Sequence, residues 1–157
     1  MFRQVLVPVK FSTCGLLAAR RACDVVRAIG GTVTMLHVLE HPVSEDDGLF
    51  QREETRFGAA ELLLRQVGVY ARRPPTVLIV QALDDVAPAI LKVASEMDAK
   101  LIMLGMRGQN ASGRQTLGSG RVTMEVLLGA GVPVQVTPCH PGPSTLEDSW
   151  RSALTER

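Results

Sequence analysis

Five short aliphatic runs, at residues 5–9, 32–39, 76–82, 101–104 and 132–137, are separated by longer stretches whose apolar residues recur at helical spacing. Short apolar runs bounded by glycine, proline or acidic turns read as strands buried on both faces. Strict alternation of such strands with helices leaves one economical arrangement: a parallel sheet with right-handed crossovers. The chain is therefore expected to form an α/β, doubly wound five-stranded parallel sheet with four helices distributed over both faces. In such sheets ligands bind beyond the carboxyl ends of the strands, where the strand order reverses.

The segments between the strands support this reading. Ser12 or Thr13 can cap a first helix whose Leu16, Ala19, Cys23 and Val26 face inward, while Arg20, Asp24 and Arg27 face out and Gly30-Gly31 stop it. Pro8, near the end of the first strand, limits further ladder pairing there. Residues 41–48 have a loop composition, and Leu49, Phe50, Phe57, Ala60, Leu63, Leu64 and Val67 suit a second helix. Asp84 or Asp85 caps a third, with Pro88 in its first turn and Ile90, Leu91, Ala94 and Met97 inward. A fourth runs from Ser119 to about Leu128 with Val122 and Val126 inward, ended by Gly129 and Gly131.

The length, 157 residues, suits one domain, taken as residues 1–137. After it, Pro138, Pro141 and Pro143 make a stiff linker, and Ser144-Thr145-Leu146-Glu147 reads as a capping box opening a short amphipathic helix with Leu146, Trp150 and Leu154 on one side. Such a helix is marginal alone, so it either docks on its own domain or a partner, or frays. The net charge of +1 gives no general nucleic-acid surface. No apolar run approaches a membrane span and no leader pattern opens the chain, so the cytoplasm is the expected compartment and no membrane partner is expected. Cys14, Cys23 and Cys139 lack metal-ligand spacing; Cys23 is read as core.

The stretch richest in chemistry runs from Lys100 to Ala130. A buried strand delivers the chain to Gly105-Met106-Arg107-Gly108, and nine residues later Gly118-Ser119 opens a helix. The first N–H groups of a helix lack partners and attract anions. Glycine lets backbone approach a ligand closely, and Ser119 is both a good N-cap and a hydroxyl donor. Residues 99–124 contain no Asp or Glu but do contain Lys100, Arg107, Arg114 and Arg121. Gly113 to Ser119 nearly spells a P-loop, but no Lys follows Gly118, which disfavours a Walker NTPase.

These glycines carry a resemblance. Gly105, Gly108, Gly118 and Ser119 match the spacing of Gly, two residues, Gly, nine residues, Gly, Ser or Thr found in nucleotide-binding universal stress proteins. VLVPVKFS from Val5, MLHVLE from Met35 and GVPVQVTP from Gly131 resemble that family's first, second and last strands. The resemblance implies the strand order 3-2-1-4-5, with the crevice between strands one and four. It further implies that Pro8, Val9, Lys10 and the backbone of Val38 surround adenine and ribose. Leu104, Gly105, Arg107, Gly108, Gly118, Ser119, Gly120 and Arg121 would surround the phosphates. Arg107 and Arg121 either add charge-assisted bonds or stand as solvated surface side chains.

Lys10 departs from the family, whose binding members usually carry Asp there. It either weakens adenosine recognition or swings toward the phosphates and screens them as a metal would. Lys100 likewise stands for the usual Asp before strand four, and Gly120 where Val is common. His37, in an apolar strand, reads as a satisfied buried imidazole rather than a general base, and His41 and His140 have no motif. With no carboxylate in the glycine loop, Mg²⁺ would be held through the phosphates, and no dedicated protein metal site is expected.

The resulting expectation is a domain binding ATP, ADP or AMP in a stress-response or regulatory role, with little or no turnover. Strand five, from Val132 to Thr137, is a terminal apolar edge, and the resemblance implies homodimer pairing there. A partner-binding module of the same fold without nucleotide, and a slow nucleotide hydrolase or transferase, are the competing readings.

Overall fold

The computed structural model describes residues 3–9, 13–39, 58, 61, 65, 75–82, 85–106 and 120–138, apart from the side chains of 13, 14 and 81. Five strands form one parallel sheet: β1 (Gln4–Pro8), β2 (Thr32–Leu39), β3 (Thr76–Gln81), β4 (Leu101–Gly105) and β5 (Val134–Thr137). Their order is β3-β2-β1-β4-β5, as the resemblance implied. Three helices are fully described: α1 (Thr13–Ile29), α2 (Val86–Glu96) and α3 (Arg121–Gly129). Gly58, Glu61 and Arg65 are also helical, with Arg65 bonded to Glu61; the other residues assigned to the second expected helix, and the linker and tail after Pro138, lie outside the described residues.

The pleat of the sheet sorts its side chains between two cores. Val5, Val7, Val9, Val33, Met35, Leu101 and Met103 meet Leu16, Ala19, Ala22, Cys23 and Val26 of α1. Leu6, Leu36, Val38, Ile102 and Leu104 point the other way, onto Ala87, Ile90, Val93 and Ala94 of α2 and Val126 of α3. Leu91 and Met97, expected inward, pack against that second core but are only partly buried. Each central strand thus buries both faces, which is why these strands read as unbroken aliphatic runs rather than alternating ones.

The helix ends show how the chain turns back. Gly30 sits at φ 75 after α1, donating its N–H to Val26 O at 2.8 Å. Gly31 follows because a Cβ there would lie 2.6 Å from Arg3 O. After α2, Ala99 N–H reaches Ala94 O at 2.9 Å and Asp98 N–H reaches Ser95 O at 3.2 Å, a Schellman ending built with Asp98 at φ 53 instead of glycine. Asp85 is the N-cap residue of α2, as one of the two expected candidates, but its side chain makes no capping bond.

Two expected boundaries move by two residues. Strand β5 begins at Val134 rather than Val132. Helix α3 begins at Arg121, with Gly120 as its N-cap in extended backbone (φ −61, ψ 153), so Ser119 does not open it. The cause is tertiary: Gly120 N–H is drawn to Met106 O at 3.1 Å, and the first bond of the helix, Met124 N–H to Gly120 O, forms only beyond it.

Candidate functional site

Strand β1 is the hinge of the sheet. On one side it pairs with β2 along its whole length, from Gln4↔Thr32 to Pro8↔Leu36, and Val9 N–H extends the contact to Leu36 O at 2.7 Å. On the other side it pairs with β4 only at Val5↔Leu101 and Leu6↔Ile102. Successive residues of a strand direct their backbone groups to opposite neighbours. Val9 N–H points to β2, while Gln4 O accepts from Lys100 N–H at 2.8 Å on the β4 side, so position 8 also faces β4. Pro8 has no N–H to offer there. The β1–β4 ladder stops there, at the carboxyl ends of the two strands where the order reverses, which is where sheets of this kind form their crevice.

His37 borders this crevice from β2. Its half-buried ring donates Nδ1–H to Val9 O at 2.8 Å, which fixes the last described residue of the first strand segment. Val38 is buried on the opposite face.

The other wall comes from β4 and α3. Met106 N–H bonds Thr137 O at 2.9 Å, Met106 O accepts from Gly120 N–H at 3.1 Å, and Thr123 Oγ1 donates to Gly105 O at 3.1 Å. Residues 107–119, which hold Arg107, Gly108, Gly118 and Ser119, lie outside the described residues, as does Lys10. Their two flanks are nevertheless fixed side by side, so Gly105 and Gly120 are brought together although fourteen residues separate them in the chain. The N–H groups of Arg121, Val122 and Thr123 precede the first bond of α3, and among the described residues no side chain caps the helix. Such a helix end favours an anion.

Charge is distributed differently from the sequence expectation. Lys100 belongs to the opposite end of β4 and holds Asp98 at 2.6 Å. Arg121 stands at the crevice end, but its Nε donates to Glu125 Oε1 at 2.6 Å, with its side chain exposed. The hydrogen bond and charge of Glu125, then the charge of Asp85, raise the Arg121 pKa. Of the expected site residues, then, Pro8, Val9, Val38, Leu104, Gly105, Gly120 and Arg121 stand at the carboxyl ends of β1, β2 and β4 or at the start of α3. Thr123, whose hydroxyl ties α3 to Gly105, was not among the expected residues. Its signal was a lone hydroxyl on the inward face between Val122 and Val126, where it is 6% exposed.

Among the described residues, no group of three or more His, Cys, Asp or Glu could hold a metal ion, and no helix is long and apolar enough to cross a membrane.

The order β3-β2-β1-β4-β5 and the crevice beside β1 define a doubly wound α/β domain with an anion-ready helix end at its switch point. The chain belongs to the universal stress protein family, whose model matches residues 1–138. Among solved structures it is similar to the universal stress protein UspA from Lactobacillus plantarum, with a TM-score of 0.73 and 22% identity over 86% of this chain and 97% of that one. It is also similar to a universal stress protein in complex with cAMP, with a TM-score of 0.65 and 17% identity over 87% and 97% of the two chains. A third, the universal stress protein from Archaeoglobus fulgidus in complex with dAMP, gives a TM-score of 0.58 and 24% identity over 87% and 98%. No curated protein matches the sequence.

Proposed function

We propose that this domain binds an adenine nucleotide, ATP, ADP or AMP, in the crevice between β1 and β4, and serves as a regulatory or stress-response module with little or no turnover. The observation that carries the reading is the joined base of the glycine segment, where Gly120 N–H meets Met106 O at 3.1 Å beside an uncapped helix start. Phosphoryl oxygens would be held by main-chain N–H groups of Gly105, Gly108, Gly118, Ser119 and Arg121, with Gly120, whose own N–H is taken by Met106 O, allowing close approach of the backbone, Leu104 behind them and Arg107 adding charge. Pro8, Val9, Lys10 and Val38 would take adenine and ribose. The structures solved with cAMP and dAMP support an adenine ligand for this fold. Mg²⁺, where present, would be carried by the phosphates.

The same reading includes a homodimer through β5. Strand β5 ends the sheet, and Met124, Leu127 and Leu128 of the neighbouring α3 are 43%, 39% and 83% exposed, an apolar surface next to the sheet's edge strand. A second reading, a partner-binding module without nucleotide, is favoured by Lys10, which puts an ammonium where a ribose-binding carboxylate is usual. Titration calorimetry decides between them. Heat that saturates by millimolar ATP supports nucleotide binding, and its absence at that concentration rejects it.

A further inference from the structure

A phosphate cradle at this crevice needs two distant pieces of chain held as one surface: the turn after β4 and the start of α3, with residues 107–119 between them. Among the described residues, two bonds join these pieces directly. One is the main-chain bond from Gly120 N–H to Met106 O, and the other is the Thr123 hydroxyl on Gly105 O.

The second bond is unusual for its location. A threonine in a helix commonly returns its hydroxyl to a carbonyl of the preceding turn. Thr123, the third residue of α3, instead spends its hydroxyl on another element, eighteen residues back in the chain, from a site that is 6% exposed. What it grips matters more than the bond alone. Gly105 O and Met106 N–H belong to the same planar peptide. Thr123 holds the oxygen end of that plane, and Thr137 O holds the hydrogen end at 2.9 Å. Gly105 has no side chain to resist rotation, so without the hydroxyl its peptide keeps, among the described residues, an anchor at one end only. The carbonyl of the next peptide, Met106 O, is the acceptor for Gly120 N–H, so a tilt at Gly105 passes directly to the start of α3.

We propose that Thr123 is a positioning residue for the phosphate-binding turn: its hydroxyl locks the Gly105–Met106 peptide so that the β4 turn and the open N–H groups of α3 face one ligand together. This rests on the nucleotide-binding reading above, and the geometry of the lock can be tested without nucleotide. Thr123→Val keeps the shape and removes the hydroxyl, while Thr123→Ser keeps the hydroxyl and removes a methyl. Three quantities are compared across wild type and both variants: ATP affinity by calorimetry, amide exchange at Met106 and Gly120 in the free protein, and thermal midpoint.

The expected result is that Thr123→Val weakens ATP binding roughly fivefold, the size of one neutral hydrogen bond. It also speeds exchange at Met106 and Gly120 selectively, and Thr123→Ser returns both quantities to near wild type. Unchanged exchange and affinity in Thr123→Val overturn the proposal. So does acceleration spread evenly over the sheet, or failure of Thr123→Ser to rescue, since either makes Thr123 a packing residue. If wild type binds no ATP, the functional reading fails by itself, and exchange at the two amides then decides whether the lock exists.

Discussion

Replacing Pro8 by alanine should partly close the crevice, and the magnitude follows from the register. With Leu6 opposite Ile102, the next residue of β1 that faces β4 is residue 8, and its N–H would be directed at Met103 O. Pro8→Ala supplies that donor. One added hydrogen bond contributes about 0.5–1.5 kcal/mol net. Losing proline's restriction of the unfolded chain costs about 0.4–1 kcal/mol. The two nearly cancel, so global stability should change by less than about 1 kcal/mol, a thermal shift within about 4 °C for a chain this size. Ligand access should change far more, because the new rung lies at the mouth of the proposed site. Hydrogen exchange read by NMR gives the direct assay. The amide introduced at position 8 should be protected about as strongly as Val9, whose N–H bonds Leu36 O, and ATP affinity should fall in parallel. A freely exchanging amide at position 8 would refute the idea that proline's missing N–H is what ends the β1–β4 ladder.

Lys10→Asp should change ATP affinity more than about tenfold, about 1.4 kcal/mol, measured by calorimetry; an unchanged constant removes Lys10 from the site. Asp98→Gly should stabilise the fold by about 1 kcal/mol, since a side chain at φ 53 is strained and glycine is not. The gain, less a small exposed pair with Lys100, should read as a rise of about 1–3 °C in thermal midpoint. Gly31→Ala should cost about 1–3 kcal/mol in urea unfolding, because its Cβ would meet Arg3 O at 2.6 Å; wild-type stability there would show that the β1 entry readily shifts.

The sheet was legible because burial on both faces forces a run of aliphatic residues, and runs this short, bounded by turn residues, suit strands better than helices. Val5, Leu6 and Val7, all at 0% exposure, are the plainest instance. The start of α3 was not legible in the same way. Ser119 is by type the better cap and Gly120 the poorer, yet the helix begins after Gly120. A long-range bond to Met106 O outweighs local capping preference, and no pattern confined to neighbouring residues contains it. Thr123 escaped for the same reason, since its partner lies in another element.

Charge was misjudged along the chain for a related cause. A window in sequence counted Lys100 and Arg121 toward one site, but a strand separates the two in space, and Glu125, one residue beyond the acid-free window, holds Arg121. In the described part of this crevice the feature that favours an anion is therefore chiefly main chain: a helix start at glycine, with no side-chain cap among the described residues. Both walls are defined by what their residues lack, a donor at Pro8 and side chains at Gly105 and Gly120. Main-chain groups read phosphate and are indifferent to the base. If the site discriminates among nucleotides, that choice must come from the ends of β1 and β2, from Val9, Val38 and the carbonyl held by His37, and from Lys10, which follows Val9 in the sequence.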